Sequence, residues 1–264
     1  MSAPQHLAIF ALLAAVAPGL AQQLEPEQAS LLEQARETAL QYSDSLPNFL
    51  CTETVRRAQD PLGMRRGTSR DSLTVKLSYF EHKENYKLLE IDGAPTSLQY
   101  ESVAGAVSTG EFGTRLYMLF HPASQGDFRW KGWTTLRKRR AARFSYRIAL
   151  EHSNYVIRHG TPQEGSKEIV VPYHGEVYVD EETHMALRVT LQAEIPHGFP
   201  INGIDSTVDY EFAALGGNRY LLPSHAYVKS TKGTLVAENY VEFREYRKFQ
   251  ADATIRFDPP PEQK

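Results

Sequence analysis

The sequence predicts a mainly β, α+β protein: an antiparallel sheet with one helix ahead of it and a second, short helix inside it. Three observations carry this. Most of the chain after residue 49 alternates apolar and polar residues with a period of two. Turn-forming pairs punctuate the alternation. Two segments alone carry apolar residues at spacings of three and four, the helical period.

The elements follow in order. Pro26 suits a first helical turn, Glu27 and Glu33 favour its start, and Leu32, Ala35, Ala39, Tyr42 and Leu46 line one face before Pro47 ends it. That stripe lasts about two heptads, which makes it a core face and not a coiled-coil seam. An alternating run follows over Phe49 to Arg57. In Ser72 to Phe80, Leu73, Val75, Leu77 and Tyr79 face one way while Ser72, Thr74, Lys76 and Ser78 face the other. Phe112, Leu116, Leu119 and Phe120 then recur at helical spacing between Gly110 and Pro122. The strand pattern resumes in Phe128 to Trp133 and in Ala142, Phe144, Tyr146 and Ile148. It continues in Leu187, Val189, Leu191, Ala193 and Ile195, set against Arg188, Thr190, Gln192 and Glu194. Val208, Tyr210 and Phe212, and finally Ala253, Ile255 and Phe257, complete it. One-sided alternation of this kind belongs to antiparallel sheets with one wet face. Asp60-Pro61-Leu62-Gly63, Asp92-Gly93, Glu164-Gly165, Asp180 to Thr183, Gly216-Gly217 and Lys232-Gly233 supply the turns, so hairpins in series are expected.

The first residues predict export. Leu7 to Ala17 is an uninterrupted apolar run, followed by Pro18-Gly19, with small Gly19 and Ala21 where a signal peptidase reads, although no Lys or Arg precedes the run. Residues 1–21 are expected to be a signal peptide cleaved near Ala21, with Ala15 and Ala17 marking a competing site. The run is too short to span a membrane, and Cys51 lies too far downstream for a lipid anchor. Residues 22–258 would then form one domain, with 259–264 a frayed tail, in a protein that is periplasmic or secreted.

Composition narrows the function. With 29 basic and 32 acidic residues the net charge is -3, which gives no field to draw the chain to nucleic acid or an anionic membrane. One cysteine allows no intramolecular disulfide, and Cys51 in an alternating run reads as a small core residue before it reads as a nucleophile. Gly160 to Lys167 has the glycine spacing of a phosphate loop, but Ser precedes Lys and a strand follows, so it reads as a hairpin loop. No H-E-x-x-H or G-x-S-x-G pattern is present, and no metal, cofactor or catalytic residue is assigned. The densest charge cluster is Arg137, Lys138, Arg139, Arg140 and Arg143, first read as a solvated hairpin tip and second as a docking patch for anionic lipid or an acidic partner.

Residues 177–258 resemble the LolA-like superfamily of periplasmic half-barrel proteins, which includes lipoprotein carriers and RseB-type regulators. The resemblance rests on Val177-Tyr178-Val179-Asp180-Glu181-Glu182-Thr183 followed by Leu187-Arg188-Val189, then Tyr210, Tyr220-Leu221-Leu222-Pro223, Val241 to Phe249 and Phe257-Asp258. It implies a half-barrel whose mouth the short helix covers. The apolar face of that helix, Phe112, Leu116, Leu119 and Phe120, read from its helical spacing, is the candidate ligand-covering face. The expected function is a non-enzymatic carrier or binding protein for a lipid or a lipoprotein acyl chain. The alternative is an envelope sensor or assembly protein working through protein contacts.

Overall fold

The computed structural model describes residues 24–61, 68–81, 83–103, 113–160 and 165–249. The expected signal peptide, Phe112, the Ala253 to Phe257 strand and the tail lie outside the described residues. Helix α1 spans Pro26–Ser45 and α2 spans Gly113–Phe120. The strands are β1 Phe49–Asp60, β2 Thr68–Phe80, β3 Lys83–Ile91, β4 Ala94–Pro95, β5 Asp127–Leu136, β6 Arg139–Ile148 and β7 Val156–His159. After them come β8 Lys167–Val170, β9 Tyr173–Asp180, β10 Ala186–Ala193, β11 Gly203–Leu215, β12 Asn218–Lys232 and β13 Leu235–Lys248.

Eleven strands form one antiparallel sheet in the order β4-β3-β2-β1-β13-β12-β11-β10-β9-β6-β5, and it is not closed into a barrel. Strands β7 and β8 form a separate hairpin inserted between the paired β6 and β9. That hairpin carries the Gly160 to Lys167 stretch on its loop, of which residues 161–164 lie outside the described residues. One pairing and one crossover depart from hairpins in series. First and last strands meet, with Val55 opposite Val241, and the chain passes from β4 at one sheet edge to β5 at the other, with α2 on the way. Periodicity carries no signal for either, because both depend on how segments far apart in sequence are arranged in the sheet.

Register explains the core. Ile91, Leu73, Val55, Val241, Ala226, Val208, Val189, Val177, Phe144 and Trp130 stand opposite one another in turn, an apolar row crossing ten strands on one face. Since parity repeats every two residues, this fixes the face of every neighbouring residue. The two helices close that inner face. The whole predicted stripe of α1, Leu32, Ala35, Ala39, Tyr42 and Leu46, is buried, as are Leu116, Leu119 and Phe120 of α2. At its start α1 is held by Gln28, whose Oε1 accepts from the Glu25 N–H at 3.1 Å.

Bulges bend the sheet, and side chains take up the backbone groups they release. Register shifts between Asp209 and Tyr210 where β11 meets β12, and the Tyr42 and Tyr246 hydroxyls donate to the nearby carbonyls of Leu221 and Pro223. In β9, Gly175 is obligatory for a steric reason: a Cβ there would lie 2.0 Å from the Thr190 carbonyl oxygen, which accepts from the Tyr146 hydroxyl at 2.6 Å.

Candidate functional site

The inner face changes character along the strands. The apolar row is sealed, apart from the half-buried Ile91 and Trp130 at its ends. The next inner row along β1, β13, β12, β11 and β10 is Arg57, Asn239, Val228, Ser206 and Leu191. It is polar yet largely covered: Arg57, Asn239 and Ser206 are buried, and Arg57 donates twice to Asp71, at 2.6 and 2.5 Å. One row further, Ala237, Ser230 and Ile204 are half-buried, as is Val228. Burial of the inner face therefore decreases at this end of β11, β12 and β13, beyond a polar collar.

Helix α2 lies against that collar. Its Arg115 donates to the Ser206 hydroxyl at 2.9 Å and lowers the titration of the buried Tyr146 and Tyr173 against the larger effect of burial. Its C-terminal end is tied to α1 by Arg36, which donates to the Phe120 carbonyl at 3.3 Å, while the Phe120 ring stacks on Phe128 of β5 at 5.7 Å. Of the four covering residues named from sequence, Leu116, Leu119 and Phe120 are brought together on the inner face, and Phe112 lies outside the described residues. Arg115, Val228, Ile204 and Ala237 were missed. Their signal was available only after the β11–β13 register was known.

The basic cluster sits at the β5–β6 turn and along β6. Arg137 and Lys138 form a two-residue turn with φ of 48° and 66°, a left-handed conformation that costs non-glycine residues about 1–2 kcal/mol each. Arg137 folds back over the sheet and donates to Asp209 at 2.8 Å and to the carbonyls of Leu187 and Tyr210, both at shifts in register. Arg139 binds Asp180 through two hydrogen bonds of 2.6 and 2.7 Å and also reaches Glu182. Arg140 pairs with Glu181 and lies over the Trp133 ring, and Arg143 donates to the Lys131 carbonyl and lies 4.0 Å from Glu176. The four guanidinium groups are thus spread over different carboxylates of the same sheet, while Lys138 is exposed.

The quoted D-x-x-T turn has a physical basis here. One oxygen of Asp180 accepts from both the Thr183 N–H and its hydroxyl, at 2.9 and 2.8 Å. The Arg139 pair and these bonds hold the Asp180 carboxyl below its ordinary range even though burial opposes that. Cys51 is buried, and burial pushes its thiol up, which leaves a poor nucleophile. Among the described residues no three His, Cys, Asp or Glu side chains cluster as a metal site, and no helix is long and apolar enough to cross a membrane.

What these elements make is an open, curved antiparallel half-barrel with one long and one short helix on its covered face. No family model and no curated protein matches the sequence. In structure the chain is similar to an outer membrane lipoprotein-sorting protein domain from Vibrio parahaemolyticus, at 10% identity over 85% of this chain and 93% of that one, with a TM-score of 0.39. It is also similar to a LolA superfamily protein from Nitrosomonas europaea, at 10% identity over 87% and 97%, TM-score 0.31. A third is the Pseudomonas aeruginosa MucA/MucB complex, at 12% identity over 84% and 100%, TM-score 0.26.

Proposed function

We propose that the protein is an exported, non-enzymatic carrier or binding protein that shelters an apolar ligand, such as a lipid or the acyl chain of a lipoprotein, on the inner face of its sheet. The observation that supports this reading is the open end of that face. There Val228, Ile204 and Ala237 remain half-buried on the strands that α2 reaches through the Arg115–Ser206 hydrogen bond, and Leu116, Leu119 and Phe120 of that helix are buried in the core. In this reading α2 is the lid. It sits on the long crossover between the sheet edges, so it can move without breaking a strand pair. Burial of about 14 methylenes would contribute roughly 11 kcal/mol. Association costs of about 4 to 15 kcal/mol leave binding in the micromolar range at best, which suits a cargo that must be released.

The test is uptake of a fluorescent fatty acid. Wild-type protein should bind it, and Leu116→Asp should abolish binding. Because Leu116 belongs to the core, Val228→Trp supplies a second variant, which fills the half-buried strip and should block uptake with the sheet intact. Wild-type protein that takes up no apolar probe would overturn the reading. It would leave the alternative, a sensor or assembly protein that binds another protein. That alternative draws on β5, a ten-residue edge strand bearing exposed Arg129, Lys131 and Trp133 next to the basic turn.

A further inference from the structure

On the outer face, opposite the helices, a depression of about 300 Å³ is lined by Arg56, Thr207, Asp209, His225, Tyr227, Tyr240 and Glu242, with Ala226 and Val241 at its floor. Register builds it from two rows. Arg56, Tyr240, Tyr227 and Thr207 stand opposite one another in turn, and Glu242, His225 and Asp209 do the same one row along. The two tyrosine rings meet at 5.1 Å and 46°, and Tyr240 is 44% exposed. Both hydroxyls donate to the Glu238 carboxylate, which fixes the rings from one side and raises the titration of both phenols, after burial as the larger cause.

The charges are unequally committed. Asp209 accepts from Arg188 at 2.7 and 2.8 Å and from Arg137 at 2.8 Å. Glu242 lies 2.5 Å from Arg244 and 3.9 Å from His225. Arg56 is exposed and makes no ion pair among the described residues, although it stands directly across from Tyr240. The depression therefore offers an exposed aromatic face, hydroxyl and imidazole groups that both donate and accept, and one uncommitted guanidinium. Aromatic faces accept the C–H face of a ring, and guanidinium recognises a carboxylate through two parallel hydrogen bonds. The volume is at the lower bound for small-molecule sites, enough for one or two sugar rings.

We infer that this depression is a glycan subsite for a carboxylate-bearing sugar, which stacks on Tyr240 and Tyr227 and places its acid on Arg56. It lies on the face opposite the proposed apolar site and does not depend on it. Ring resonances of Tyr227 and Tyr240, followed by NMR during titration with trigalacturonate and separately with its methyl ester, test the assignment. The acid should shift both rings, and the ester should bind at least about tenfold more weakly. Tyr240→Ala should weaken the acid at least about tenfold, and Arg56→Gln should bring the acid down to the level of the ester. Both side chains are exposed, so the fold should be retained. Equal affinity for acid and ester, rings unmoved by either, or a Tyr240→Ala variant that binds like wild type would overturn the proposal.

Discussion

The same three strands, β11 to β13, end in two different ways on the inner face. At one end Tyr210, Leu221, Val241 and Phe243 are buried, and Tyr42 of α1 and Tyr246 place their hydroxyls on the carbonyls of Leu221 and Pro223. At the other end Ile204, Val228, Ser230 and Ala237 are half-buried behind a polar collar. Strand pattern alone does not distinguish the two, because both alternate. The difference comes from the helices: the 20-residue α1 seals one end with a five-residue apolar stripe, while the eight-residue α2 reaches the collar through one arginine. Rigidity is expected at the sealed end, and room for a ligand at the open one.

The largest expected effect belongs to the sealed rows. Val189 is fully buried between Val177 and Val208, so Val189→Asp should cost about 4 kcal/mol or more by placing an unpaired carboxylate in the core, read as a lost or strongly lowered denaturation midpoint. A variant as stable as wild type would show that the sealed row is not a core. Next, Tyr42→Phe removes only the hydroxyl that holds the Leu221 carbonyl and should cost roughly 1–2 kcal/mol.

Acid should weaken the outer ion-pair lattice that supports these rows from behind. Burial alone would raise the carboxyls of Asp180 and Asp209, but their arginine partners hold both below the ordinary value. A carboxyl depressed in the folded state contributes stability that is present above its unfolded pKa, about 3.9, and is lost as pH falls through the folded value. Unfolding midpoints should therefore drop below about pH 4, and Asp209→Asn should flatten that part of the profile. An unchanged profile in the variant would remove Asp209 from the lattice.

Much of this was legible in the sequence. The α1 stripe came out residue for residue, and so did the parity of β10, where Leu187, Val189 and Leu191 are buried and Gln192 is exposed. Local periodicity encodes such features directly. Thr190 shows where it stops. Parity places it on the wet face, yet its hydroxyl accepts the Glu176 N–H at 2.8 Å and its carbonyl crowds Gly175. The basic run was equally visible as charge, but not its use. Its arginines reach Asp180, Glu181 and Asp209, which are 41, 41 and 72 positions away in sequence. The open end of the inner face was illegible for the same reason, since it depends on which strands β1 and β13 meet and on how far α2 extends over them.

The smallest expected stability effect is the most informative about the two ends. Val228 is half-buried, so Val228→Thr replaces one methyl by a hydroxyl with water within reach and should change stability by about 0.5 kcal/mol or less. The chemically similar change Val241→Thr, one strand away in the sealed row, puts the hydroxyl where Ala226 and Val55 flank it and should cost roughly 1–3 kcal/mol. If the open end also receives the apolar ligand, Val228→Thr should weaken fatty-acid uptake severalfold while leaving the denaturation midpoint in place, and Val241→Thr should do the reverse. Equal stability losses at the two positions would mean that the strip around Val228 is as sealed as the rest, and the distinction between the ends would disappear.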